Sequence, residues 1–241
     1  YLVTEFVHGG TLTKWTHDHG PLFPQSAALL GHAIASALVH AHAAGIVHRD
    51  IKPDNVLLSG GTAVVTDFGI AKALSASRAE VAGGTLTSVG TSIGTPAYMA
   101  PEQVAGDPTI DHRVDLYALA VVLFELLSGT LPFEGDSEIA LIQMQAHSPP
   151  PDLLSRAPWV PPAVAQMMKK ALAKVPDQRF NSGAELVTAL EEAMAQPGVA
   201  GPTPAAVAAT AVSVPELKAV TPRKMRRALV GFSVLAVVAG L

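Results

Sequence analysis

The chain has 241 residues, of which 49% are apolar, enough for one principal domain with a sizeable core and for further segments outside it. Its formal net charge of −4 gives no overall basic footprint, so no nucleic-acid partner is expected. Because the sequence contains no cysteine, a disulfide framework and a thiolate metal site are both excluded.

The first half of the chain begins with an apolar run over residues 1–7, which is typical of a strand already under way. We therefore expect the sequence to be a fragment cut close to this point. Ala and Leu at helical spacing then predict a long helix over residues 25–44, with Pro24 at its first turn and Gly45 after its end.

Two short apolar runs follow, over residues 55–58 and 63–66, and the Ser-Gly-Gly turn between them predicts a β-hairpin. Residues 74–93 are Ser, Thr, Gly and Ala without a period, which is typical of a long functional loop. The rest of the domain is predicted to be mainly helical. The helical patterns cover residues 113–127, 137–146, 162–173 and 183–194, and Ser182 and Glu185 have the spacing of a capping box before the last.

The C-terminal part changes composition twice. Residues 196–222 are mostly Pro, Ala, Val, Thr and Gly with almost no charge, which predicts a disordered linker. Residues 223–241 open with a basic juxtamembrane cluster and continue as an apolar run, shorter than the roughly 20 residues that a membrane-spanning helix needs. Because cations beside a span normally stay cytoplasmic, we expect a truncated transmembrane helix and a cytoplasmic domain before it. A buried core segment or a peripheral helix is the alternative.

Three motifs follow one another between the long helix and the helical half. They are His48-Arg49-Asp50-Ile51-Lys52-Pro53-Asp54-Asn55, then Asp67-Phe68-Gly69, then Gly94-Thr95-Pro96-Ala97-Tyr98-Met99-Ala100-Pro101-Glu102. In this order they resemble the catalytic, magnesium and substrate-binding loops of the eukaryotic-type (Hanks-type) protein kinases. The resemblance covers residues 1–195 and implies an α+β protein kinase fold, mainly the hinge and the helical C-terminal lobe.

The resemblance implies transfer of the ATP γ-phosphoryl group to proteins, with Mg²⁺ or Mn²⁺ as the metal. Asp50 would orient the acceptor hydroxyl and accept its proton, and Lys52 would neutralise charge on the transferred group. Asn55 and Asp67 would hold the metal, because amide and carboxylate oxygens are hard ligands that suit Mg²⁺. Thr95 would shape the site for a Ser or Thr acceptor, and Lys52 with Asn55 resembles serine/threonine rather than tyrosine kinases.

The nucleotide would lie against the hinge of such a kinase. Backbone groups of Glu5 and Val7 would pair with adenine, and Leu57 would pack under the ring. Thr11 and Lys14 occupy places where relatives often carry an acid, so the ribose contact stays unassigned.

Other residues would support the site structurally. By the same resemblance, Glu102 and Arg179 would form a buried ion pair, which is costly to break once both charges are desolvated. Asp115 would anchor the backbone around His48 and Arg49, and His48 would pack under the magnesium loop.

Arg49, beside Asp50, is typical of kinases that are controlled by a phosphate in the activation loop. The candidate acceptors for autophosphorylation are Thr85, Thr87, Ser88, Thr91 and Ser92. Self-association of the kinase for this step stays open.

The sequence contains no glycine-rich loop, no strand lysine and no partner glutamate, which lie upstream in the family. We therefore expect the N-terminal lobe to be missing and the fragment alone to be inactive. The order of kinase, linker, basic segment and span resembles bacterial receptor-type serine/threonine kinases, which are single-pass proteins of the cell membrane. The alternatives are a pseudokinase-like scaffold, which an absent upstream lysine would favour, and a small-molecule phosphotransferase, against which Arg49 and Ala100-Pro101-Glu102 argue.

Overall fold

The computed structural model describes residues 9–59, 62–68 and 96–196. The predictions for Glu5, Val7, Thr95, the activation-loop acceptors and residues 197–241 lie outside this part of the chain. Within it, no helix is both long enough and apolar enough to cross a membrane.

The described residues include a small antiparallel sheet of three strands, in the order β1-β2-β3. β2 (Val56–Ser59) pairs with β3 (Thr62–Val65), so the predicted hairpin is confirmed with its ends moved by one residue. β1 (Gly10–Thr11) pairs with β2 on its other side and was not predicted. A strand of two residues is too short to show an alternating pattern.

Two helices precede the hairpin. α1 (Leu12–His19) was not predicted, because Leu12 is its single buried residue and gives no apolar stripe. α2 (Pro24–Ala43) confirms the predicted long helix within one residue at each end. It stops where expected, since Gly45 adopts a φ of 74°, a left-handed conformation that glycine accepts without steric cost.

The core forms around α4 (Arg113–Ser128), in which residues 114–127 are all buried except the half-buried Glu125. A helix that is apolar on nearly every side belongs at the centre of a domain. The remaining helices are α3 (Pro101–Val104), α5 (Glu138–His147), α6 (Pro162–Ala171) and α7 (Gly183–Ala195). α2 packs against α4 and α7, and α6 packs against α7.

The predicted helices of this half are confirmed within one or two residues at their ends. The capping box before α7 is only half formed. The Ser182 hydroxyl accepts the Glu185 amide at 3.1 Å, as predicted. The Glu185 carboxylate accepts instead from the amide of Asn181, one residue before the cap, at 2.8 Å.

Candidate active site

The loop between α2 and β2 brings three of the predicted catalytic residues together. Lys52 Nζ lies 3.2 Å from Asp50 Oδ2, and the Asp50 side chain is 30% exposed. The Asn55 amide nitrogen donates to the Asp50 carbonyl at 2.8 Å and to Asp50 Oδ2 at 3.1 Å. The carboxylate of Asp50 is therefore oriented by two donors while it still faces solvent.

The predicted metal ligands are linked through the backbone. The Asn55 carbonyl accepts from the Thr66 amide at 2.9 Å and from the Thr66 hydroxyl at 3.3 Å, directly before Asp67. Asp67 is exposed and adopts a φ of 59°, a left-handed conformation that Asp tolerates better than most residues. Both hydrogen bonds from Asn55 to Asp50 use the side-chain nitrogen. Neither involves the side-chain oxygen, which is the atom that would bind the metal.

The side chains of Asn55 and Asp67 are suitable ligands for Mg²⁺, since both offer hard oxygen atoms. The described residues contain no group of three or more His, Cys, Asp or Glu that could hold a metal. Such a donor set suits an ion that keeps most of its positions for water and phosphate, as Mg²⁺ does.

The backbone of the catalytic loop is anchored on α4, as predicted. The fully buried carboxylate of Asp115 accepts the His48 amide at 2.8 Å and the Arg49 amide at 2.7 Å. Arg49 has a φ of 65°, which costs energy for a residue with a side chain and persists because these bonds hold it. His42 Nε2 also lies 2.8 Å from Asp115, a contact that the sequence analysis missed.

His48 packs under the segment that carries Asp67, which confirms its predicted place. Its ring centroid lies 4.6 Å from that of Phe68. The Asp50 amide lies 3.3 Å from Nδ1 of His48, and Nε2 lies 2.8 Å from the Thr66 carbonyl. The imidazole thus bridges the loop of Asp50 and the loop of Asp67 when Nδ1 accepts and Nε2 donates.

Leu57, the predicted contact to adenine, is half-buried in β2 between Thr11 and Val64. The Thr11 hydroxyl accepts the Lys14 amide and so caps α1. The Lys14 side chain pairs with Asp18 on the surface, at 3.5 Å. The structure brings neither residue to a site that would assign the ribose contact.

Beyond the catalytic loop, Arg179 and Glu102 form the predicted buried ion pair. Two guanidinium nitrogens of Arg179 donate to the two carboxylate oxygens of Glu102, each at 2.7 Å. The same guanidinium donates to the carbonyls of Ala173, Lys174 and Arg113, at 2.7, 3.0 and 3.3 Å. All parts of this charge are therefore satisfied inside the protein.

The turn at Pro96–Tyr98, just before α3, has contacts that the sequence did not indicate. The Tyr98 hydroxyl donates to Glu125 Oε2 at 2.7 Å. Burial, and after it the neighbouring carboxylate of Glu125, raises the pKa of Tyr98. Burial also raises the pKa of Glu125. The buried Gln145 of α5 donates to the Ala97 carbonyl. A polar residue within a helical pattern gave no sequence signal for this role.

Comparison with known proteins is consistent with this geometry. The protein kinase domain family matches residues 1–196. The probable serine/threonine-protein kinase PknB of Lactococcus lactis is 40% identical over 189 residues, which are 78% of this chain and 29% of that protein. The serine/threonine-protein kinase PrkC of Bacillus subtilis is 39% identical over 187 residues, 77% of this chain and 28% of PrkC.

Among solved structures, the crystal structure of the Mycobacterium tuberculosis PknI kinase domain is similar with a TM-score of 0.60 and 28% sequence identity. The similarity covers 78% of this chain and 64% of that one. The chain spans less than a third of the length of the two curated relatives, PknB of Lactococcus lactis and PrkC of Bacillus subtilis.

Proposed function

Since the chain belongs to the protein kinase family, we propose that the protein transfers the γ-phosphoryl group of ATP to serine and threonine hydroxyls of proteins. The observation that carries this proposal is the half-exposed carboxylate of Asp50, placed between Lys52 at 3.2 Å and the Asn55 amide at 3.1 Å. Relatives named serine/threonine-protein kinases, at 39–40% identity, support the acceptor class.

In the proposed reaction the acceptor hydroxyl lies against the Asp50 carboxylate, which takes its proton as the oxygen attacks the γ-phosphorus. The bond from the γ-phosphorus to the bridging oxygen breaks, and ADP leaves with that electron pair. Lys52 is close enough to Asp50 to place a positive charge beside the transferred group. The Asn55 amide nitrogen keeps the carboxylate turned toward the hydroxyl.

Asn55 and Asp67 would hold Mg²⁺, which supplies charge neutralisation on the phosphate oxygens when it is bound. Glu5, Val7 and Leu57 are proposed as the adenine contacts, and Thr95 as a contact to the acceptor. Autophosphorylation of the loop before Thr95 and a cell-membrane location through residues 223–241, with the kinase domain cytoplasmic, remain parts of the proposal that rest on the sequence.

The proposal is tested by transfer of labelled phosphate from Mg·ATP to casein in the full-length protein. Asp50→Asn keeps the shape of the side chain and removes the proton acceptor, so we expect a loss of roughly 10²- to 10⁴-fold in kcat. Asp54→Asn is the matched control. It alters an exposed carboxylate of the same loop that accepts a hydrogen bond from the Thr13 hydroxyl, and its kcat should stay within about threefold.

Equal labelling by the parent and by Asp50→Asn would remove the assigned role of Asp50. If neither transfers label and both are folded by circular dichroism, the phosphotransferase function is wrong. A scaffold that holds partners would then take its place.

A further inference from the structure

We propose that Gln145 is a positioning residue that fixes the docking segment, defined as residues 96–104, and thereby sets the KM for the protein acceptor. This inference rests on the proposed kinase function, because the docking segment has its role only in that reaction. Gln145 lies on α5, outside all three sequence motifs, and its side chain is fully buried.

Gln145 uses both ends of its side-chain amide. Its Nε2 donates to the carbonyl of Ala97, in the turn that opens the docking segment. Its Oε1 accepts from the Tyr117 hydroxyl of α4 at 2.6 Å. A buried amide with both ends bonded holds its partners in one geometry, since each bond is directional and neither can be replaced by water.

The contacts behind the docking segment are connected to one another. Gln145 holds Ala97 at the start of the segment, and Arg179 holds Glu102 five residues later. Both holding residues meet at Tyr117, whose hydroxyl binds Gln145 and whose ring centroid lies 4.8 Å from the Arg179 guanidinium carbon. Ala97 and Glu102 of the docking segment are therefore fixed relative to one another through contacts with the single buried side chain of Tyr117.

Lys174 holds the backbone of Gln145. Its Nζ donates to the Gln145 carbonyl at 2.6 Å and to the Met144 carbonyl at 3.3 Å. These carbonyls belong to the last turn of α5, where a cation is favourable because the helix dipole is negative at that end. The ammonium also lies 3.3 Å from the Tyr117 hydroxyl and 4.0 Å from the centroid of the Phe133 ring. Both the backbone and the side-chain amide of Gln145 are thus held by hydrogen bonds.

The docking segment is also joined to the catalytic loop, because Gln103 Nε2 donates to the Arg49 carbonyl at 3.0 Å. Ala97 stands two residues after Thr95, and a stretch of that length spans at most roughly 7 Å. A shift at Ala97 therefore moves the surface that receives the acceptor, while Asn55 and Asp67 depend on other contacts. For this reason we expect the acceptor KM to change and the ATP KM to stay constant.

The test compares Gln145→Met with Gln143→Met in the full-length protein. Methionine has nearly the length of glutamine but cannot make either hydrogen bond, and Gln143 is an exposed residue of the same helix. With casein as the acceptor, Gln145→Met should raise the KM for casein roughly tenfold, as the loss of such bonds predicts. The KM for ATP and the kcat should stay within about threefold, and Gln143→Met should match the parent.

Tyr117→Phe provides a second variant, because it removes the hydroxyl that donates to Gln145 at 2.6 Å and accepts from Lys174 at 3.3 Å, and it keeps the ring beside Arg179. It should raise the KM for casein by itself and add nothing in the Gln145→Met background. If Gln145→Met does not fold, the KM of Tyr117→Phe for casein tests the inference in its place.

The inference is overturned if kcat falls with an unchanged KM for casein, if the ATP KM rises equally, or if Gln143→Met behaves as Gln145→Met does. An inactive parent protein is a different result, which refutes the kinase proposal and this inference together. An active parent with no change in KM refutes this inference alone.

Discussion

The catalytic loop and the docking segment both rely on a carboxylate paired with a cation, but in opposite surroundings. Asp50 and Lys52 lie 3.2 Å apart with side chains that are 30% and 17% exposed. Glu102 and Arg179 meet through two bonds of 2.7 Å, and the Arg179 side chain is fully buried. A pair with access to solvent is held less rigidly than a buried pair whose charges are satisfied. The pair that we propose to take part in the reaction is therefore the one that changes partners more readily.

Both regions are held by the same helix. Asp115 of α4 accepts two amides of the catalytic loop, and Tyr117 of α4 contacts Gln145 and Arg179 behind the docking segment. Residues two apart on a helix project about 200° from one another, so they can serve opposite sides of it. The central helix is therefore the common frame that sets the distance between the two regions.

The largest effect is expected for Arg179→Met, which leaves the carboxylate of Glu102, whose side chain is only 10% exposed, without its partner. We expect the free energy of unfolding to fall by about 3 to 5 kcal/mol, the cost of breaking a buried pair from one side. Urea unfolding measures the change. The double variant Arg179→Met/Glu102→Met should recover part of the loss, because no uncompensated charge remains.

The control for this prediction is Lys14→Met, which removes the cation of an exposed pair with Asp18. Its effect should stay below about 1 kcal/mol, as is usual for surface pairs. Equal effects of Lys14→Met and Arg179→Met would show that burial is not what separates the two kinds of pair.

On the side of the catalytic loop, Asp115→Asn should cost about 2 to 3 kcal/mol of stability, because one acceptor oxygen of a charged group is lost. The kcat should also fall by roughly 10- to 100-fold, since a small displacement of Asp50 is enough for such a loss. Asp111→Asn, which alters a half-buried carboxylate that pairs with Arg113 just before the same helix, is the matched control. Kinetics and urea unfolding of both variants decide between a displaced loop and a merely weakened domain.

The sequence was informative wherever a pattern is local. Apolar spacing predicted α2 and α4 and the β2–β3 hairpin within one residue at their ends. The order of the motifs predicted the contacts of Asp115 and the ion pair of Arg179, since the resemblance assigns these roles to fixed positions. α1 and β1 were missed because each buries too few residues to show a period.

The contacts of Gln145 and His42 could not be predicted, for a different reason. Each is a polar residue on a helix, and its partner lies 48 or 73 residues away in the sequence. Local propensity places such residues on a helix but cannot say which distant carbonyl or carboxylate will face them. Only the packing of α5 and α2 against their neighbours decides that.

The smallest expected effect concerns Lys174, which supports the docking segment with a charge of its own. Burial, together with the nearby Arg179, lowers the pKa of Lys174 to about 8. Below pH 8 both the folded and the unfolded chain hold this proton, so its contribution is constant. Between pH 8 and the ordinary lysine pKa of about 10.5, only the unfolded chain holds it, and the free energy of unfolding rises with pH.

Lys174→Met removes this titration. The difference in the free energy of unfolding, parent minus variant, should therefore rise by about 1 to 2 kcal/mol between pH 7 and pH 10, after allowance for the partial exposure of the side chain. Urea unfolding at both values measures it, and groups that titrate in both proteins cancel in the difference. Lys170→Met removes an exposed lysine of α6 and is the matched control. A difference that stays flat for Lys174→Met would mean that the ammonium is better solvated than its contacts with Gln145 and Tyr117 indicate.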